Sequence, residues 1–269
     1  MHDTLHNFSG LRQKLETIYE RYNKKIYVHP DPLEFLYDFS DPLDREIVGM
    51  IASSLAYGRV RQILKSIFFV LSVMQKPSEF LANTSRTELY DVFSDFRHRF
   101  TSGADMAALL AAIKNIIDEY GSLENCFLSC CRNEEETLTE ALSRFSKKLK
   151  KASATNENYS IPDPEKGSAC KRPFMFLRWM VRRDEVDPGG WKKIPASKLV
   201  IPLDTHMFRI AKGLGFTQRK RADLSSSLEI TRNFRMLAPD DPVRYDFSLT
   251  RFGIRNDLDC SHLIKFLVS

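Results

Sequence analysis

The chain has 269 residues, 43% of them hydrophobic and only 11 of them glycine. That is enough apolar side chain for one large core or two intimate ones, and it favours a helical domain over a β-sandwich. No apolar run approaches the roughly 20 residues of a spanning helix and no signal core opens the chain, so a cytoplasmic protein without a membrane partner is expected. Net charge is a modest +5, but it is unevenly placed: residues 147–221 hold 18 Lys/Arg against 7 Asp/Glu, and the remainder 22 against 28. Such segregation marks either a phosphate-backbone binder or a solvated basic face. The five cysteines (126, 130, 131, 170, 260) are odd in number and form no CxxC pair, which predicts reduced thiols and no metal site.

Leu11, Leu15, Ile18 and Tyr22 share one face of a helix over 9–23. Asp31-Pro32 and Asp41-Pro42 are turn signals on either side of residues 33–39. Ile47, Val48, Ile51 and Leu55 predict a helix over 44–56, interrupted at Tyr57-Gly58-Arg59 and resumed to residue 74. Pro77 opens another short helix. Phe96-Arg97-His98-Arg99-Phe100 mixes aromatic and basic residues, and both Phe are expected to pack inward. A helix over 103–120 ends at Gly121 as a left-handed cap. One over 134–150 ends in Lys147, Lys148 and Lys150, cations that suit a helix C-terminus. Residues 152–166 form a polar loop too short to separate domains.

Gly167-Ser168-Ala169-Cys170-Lys171-Arg172 has the layout of a hairpin entering a helix, because Phe174 to Met180 follow with helical period. Residues 182–191 follow, and by the resemblance given below they look like an insertion; Trp191 either plugs a loop or covers a cleft. Next comes Ile201-Pro202-Leu203-Asp204-Thr205-His206-Met207-Phe208-Arg209-Ile210-Ala211. Met207, Ile210, Ala211 and Leu214 recur at helical spacing, which puts Asp204 at the N-cap. There its carboxylate would accept backbone N–H bonds at the positive end of the helix dipole and stay ionised. In that position Asp204 either only caps the helix or, as a fixed carboxylate, stabilises a developing cation. A helix over 222–237 follows, and Asp240-Asp241-Pro242 opens the last one, which carries Phe252.

Pro202-Leu203-Asp204-Thr205-His206-Met207-Phe208-Arg209-Ile210-Ala211, with Gly213 to Phe216 after it, resembles the catalytic-aspartate segment of the helix-hairpin-helix DNA glycosylases. Phe96 to Leu123 is similar to the 8-oxoguanine glycosylase branch, and the 33 residues between Lys171 and Asp204 (204 − 171) resemble its archaeal members. The whole chain also resembles a family of bacterial proteins of unknown function. The resemblance implies an all-α, two-lobed fold. Residues 44–200 would form a helical lobe with the hairpin and 201–269 a C-terminal lobe carrying Asp204. Residues 1–43 would pack with that C-terminal lobe. It implies a monomer acting on double-stranded DNA with a damaged base, in the bacterial cytosol or nucleoid.

By the same resemblance, Gly167 and Ser168 would hold a DNA phosphate on the hairpin, although Ala169 stands where a second glycine is usual. Lys171 would be the nucleophile, assisted by Asp204. Arg172, His206, Arg209, Tyr57 and Arg59 would contact DNA, and Phe252 and Trp191 would line the base pocket. Only Cys260 follows Asp204, so the four-cysteine iron–sulfur loop of some members is not expected, and no cofactor is implied. The chemistry would be base removal through a lysine Schiff base, followed by strand cleavage. If Lys171 is not the nucleophile, Asp204 could activate water instead. The alternatives are a non-catalytic nucleic-acid-binding protein on the same fold, and a structural protein in which Asp204 only caps.

Overall fold

A computed structural model of the protein describes residues 2–154 and 161–269. The described chain is mostly helical, and its one sheet is a two-stranded hairpin. α1 (His2–Tyr22) presents Leu15 and Ile18 to the core. Residues 33–38 fall in a 3-10 helix, Pro32–Asp38, whose cap Asp31 accepts from the Leu33 N–H. α2 (Pro42–Leu55) starts where Asp41 accepts from the Leu43 and Asp44 N–H groups and Pro42 presets the first φ. It is buried along nearly its whole length, as a helix apolar on most faces must be. Gly58, at φ +100°, turns the chain into α3 (Val60–Met74).

α4 (Pro77–Asn83) is followed by α5 (Arg86–Val92). The latter is too short for periodicity to reveal and is set by a capping box between Ser85 and Glu88. β1 (Arg97–His98) and β2 (Thr101–Ser102) pair antiparallel. Here one expectation is corrected: Phe96 is buried, but Phe100 stands 67% exposed, because it falls in the two-residue turn between the strands, outside the pleat that aims Phe96 and His98 inward. α6 (Gly103–Tyr120) has the expected limits, capped by Ser102 and Asp105 and ended by Gly121 in the left-handed region. α7 (Leu123–Leu128) follows, then α8 (Thr139–Ser153). α8 begins later than residue 134, because the Leu138 N–H is drawn to the Lys198 carbonyl. Residues 155–160 of the expected polar loop lie outside the described residues.

α9 (Lys171–Val181), α10 (Thr205–Gly213) and α11 (Leu224–Leu237) carry the region of interest. The expectation of one last helix from residue 240 is corrected too. Residues 240–245 are turns, and α12 (Asp246–Ile254) and α13 (Cys260–Val268) both follow. α6 packs against α4, α5, α7 and α8, while α2 packs against α3 and α9. α10, α12 and α13 pack together, and α1 lies on α11, α12 and α13. One continuous apolar core runs through both sets. No helix among the described residues is long and apolar enough to cross a membrane.

Candidate functional site

The residues before α9 form a tight turn. A single 3-10 turn, Pro164–Lys166, ends at Gly167, which takes φ +76°. Ser168 bridges to Asp223, and the Leu224 N–H donates to the Gly167 carbonyl, so this turn is tied to the start of α11. Gly167 and Ser168 are exposed. The second left-handed residue is Cys170, at φ +46°, and not Ala169. A glycine is therefore not required at position 169. Pro173 sits in the first turn of α9, where a missing N–H costs nothing.

Lys171 opens α9 and Asp204 caps α10. The fold brings the two together: Lys171 Nζ lies 3.1 Å from Asp204 Oδ2, with side chains 37% and 14% exposed. The other carboxylate oxygen, Oδ1, accepts from the Met207 N–H at 2.8 Å. Burial works to raise the Asp204 carboxyl, but the Lys171 charge and the Met207 N–H outweigh it and hold it below the usual carboxylate value. Asp204 is thus a desolvated, ionised and immobile carboxylate against an amine that solvent can reach.

The other expected site residues divide into two groups. Arg172 donates from Nη1 to the Ser54 carbonyl at 2.7 Å and lies over the Tyr57 ring, 4.9 Å from its centroid. Tyr57 bonds through its hydroxyl to the His98 carbonyl and the Thr101 hydroxyl. Arg172 and Tyr57 thus lock the α2–α3 corner to α9, and Arg59 is exposed at the start of α3. On the far side His206 packs so closely on Gly253 that a Cβ there would come within 2.2 Å of its Nδ1. Arg209 is exposed and donates to Ser261 Oγ at 2.8 Å. Phe252 is half-buried and meets the Tyr22 ring edge-on.

Trp191 is a correction. It is 4% exposed, wedged between Phe127 and Phe176, and its indole N–H donates to the buried Glu46 at 2.8 Å. A ring that is buried and has its one donor satisfied is not available to a base. Residues 182–191 are built into the interior. Asp187 is fully buried between Arg178 and Arg182; Arg178 also meets Asp246, and Arg182 meets Asp184 and Asp241. This network escaped the sequence reading, yet a signal was present. Arg178 follows Lys171 by seven residues, two turns along one helix face. The buried pairing also removes Arg178 and Arg182 from the basic surface that the charge tally suggested.

Behind the site, burial pushes the Asp246 carboxyl up to about 6 against the pull of Arg178, and the charge of Asp204 adds to the rise. The five cysteines are unpaired. Among the described residues no group of three or more His, Cys, Asp or Glu is placed to hold a metal ion. No curated protein and no solved structure matches the chain. Residues 31–255 match the model of a family described as "Protein of unknown function (DUF2400)", and the chain belongs to that family.

Proposed function

We propose that the protein is a DNA glycosylase with abasic-site lyase activity, built on a helix-hairpin-helix glycosylase-like fold. The observation that carries this reading is the partly exposed pair Lys171–Asp204, a nucleophile candidate and a fixed carboxylate 3.1 Å apart at the starts of two helices. A lysine attacks only after losing its proton, and Nζ, on a side chain 37% exposed, can release it to solvent while Asp204 stays ionised. As the C1′–N bond of a damaged nucleoside breaks, the base leaves with the electron pair and the sugar gains positive charge. Asp204, ionised and preorganised, stabilises that charge. Nζ then bonds C1′, the ring oxygen takes a proton, and the open-chain iminium permits elimination of the 3′ phosphate. The nucleotide must leave the helix to reach this site, which costs least at damaged or mismatched pairs.

The experiment is borohydride trapping on duplexes carrying 8-oxoguanine or an abasic site, with wild type beside Lys171→Gln. An adduct in wild type alone is the expected result and identifies Lys171. An adduct in both moves the nucleophile elsewhere. Salt-sensitive duplex binding with no adduct and no base release favours the second reading, a non-catalytic nucleic-acid-binding protein. The exposed hairpin tip at Gly167–Ser168 supports that reading equally.

A further inference from the structure

α3 leaves one stripe in solvent: Arg61, Gln62, Lys65, Phe68 and Phe69 are all exposed, and Phe68 and Phe69 are 66% and 43% exposed. Across from it runs the segment 95–99, and between the two lies a groove of about 360 Å³. Lys65, Arg97 and Arg99 line the groove, with Asp95 as its one lining carboxylate. Its floor is aromatic, since Phe69 stacks at 5.9 Å and 26° on the buried Phe96.

The groove leads back to the Lys171 site. At its end Arg99, at φ +51°, places its guanidinium 5.5 Å from the Phe100 ring centroid. Its side chain presses so closely on Gly58 that a Cβ there would lie 2.6 Å away. Phe100 in turn lies parallel to Tyr57, within 5°, at a centroid distance of 6.4 Å. Tyr57 sits beneath Arg172, the neighbour of Lys171. The platform is held rigid by His98, whose two ring nitrogens meet Ser66 Oγ at 2.9 Å and the Tyr57 carbonyl at 3.1 Å. Burial lowers that imidazole from its ordinary value and so favours the neutral ring, in which one nitrogen donates and the other accepts.

We propose that this groove binds an unpaired DNA strand, with bases on Phe69 and Phe100 and phosphates on Lys65, Arg97 and Arg99. Exposed aromatic faces interleaved with cations suit unstacked bases on a polyanion. A duplex, whose bases are covered by one another, would leave those faces unused. A rigid surface also loses little entropy on binding. The proposal does not depend on Lys171 chemistry, because binding and trapping are separate readouts.

The test is fluorescence anisotropy of the full chain with an oligothymidylate of about 12 nucleotides and a blunt duplex of the same length. Phe69→Ala and the exposed pair Lys65→Glu/Arg97→Glu are compared with wild type across salt. Each variant should weaken single-strand binding about tenfold or more. The charge reversal should also flatten the salt slope. Duplex affinity should change less than about threefold, and borohydride trapping, if wild type shows it, should persist. Should alanine lower the melting midpoint, Phe69→Leu keeps packing on Phe96 without the ring. Absence of salt-sensitive single-strand binding in wild type overturns the proposal. So does equal weakening on both substrates, or loss in the charge variants alone, since either leaves only a general basic patch.

Discussion

Asp204 divides its two oxygens between two partners, and that division makes its contributions separable. Oδ1 caps α10 through Met207 and Oδ2 faces Lys171. Asparagine caps helices about as well as aspartate, so Asp204→Asn should change the melting free energy by less than about 1 kcal/mol. Trapped adduct should fall at least about 100-fold, as when a preorganised charge partner is lost. If trapping survives, Asp204 is only a cap. The pH dependence has a definite sign. With its folded value depressed, Asp204 stabilises the protein fully above the unfolded carboxylate value of about 4. That stability is lost as pH falls through the lower folded value. The position facing His206 is equally specific. A methyl at Gly253 would sit 2.2 Å from the His206 Nδ1 in a helix with ordinary φ, so the ring rather than the backbone must yield. Gly253→Ala should cost about 1–3 kcal/mol by overpacking, read by denaturant melting. If His206 contacts DNA, duplex affinity should fall with it.

Elements were legible wherever apolar spacing and a cap coincided. Residues 103–120 carried Ala, Leu and Ile at helical intervals with Gly121 as a stop, and α6 has those limits. α10 was readable for the same reason, with Asp204 before Met207 and Ile210. α5 and α7 were not delimited, because helices of seven and six residues barely complete the turns that a 3.6-residue period needs. Their caps are side-chain hydrogen bonds, and one of them comes from afar. Glu46 on α2 accepts from the Leu123 and Glu124 N–H groups at the start of α7, and from Trp191. Burial pushes this carboxyl up to about 7 despite those bonds. The folded protein therefore holds a proton that the unfolded chain has lost between about pH 4.5 and 7. Stability should fall as pH rises across that window, by up to about 3 kcal/mol from this group. Glu46→Gln has no proton to lose, so its stability curve should be flatter there than that of wild type. Parallel curves from pH 4.5 to 7 would show that Glu46 is ionised throughout.

At the scale of the molecule, the sequence pointed to the pair at the site but not to what holds its helices in place. Lys171 and Asp204 stood out through their local surroundings, a hairpin-like turn and an N-cap. The support behind them is long-range: Arg178 of α9 reaches Asp246 of α12, and Asp187 joins Arg178 to Arg182, which reaches Asp241. Nothing in the sequence marks Arg182, Asp184 and Asp187 as buried, because charge in a loop is ordinarily exposed. Only the fold shows that Asp187 is buried to 0% exposure between two guanidiniums. The network therefore spans the elements that carry Lys171 and those that pack on Asp204. Removing the charge of Asp187 leaves Arg182 with only the more exposed Asp184 and Asp241, and Arg178 with Asp246 alone. Stranding buried cations is expensive, so Asp187→Asn should lower the unfolding free energy by about 3–5 kcal/mol. Because Asn keeps the shape, the loss is electrostatic and not a cavity effect. Arg183→Ala, one residue from the network but outside its ion pairs, should change stability by less than about 0.5 kcal/mol. Equal, small effects for the two variants would mean that water enters the network and that α9 and α12 are held by apolar packing alone.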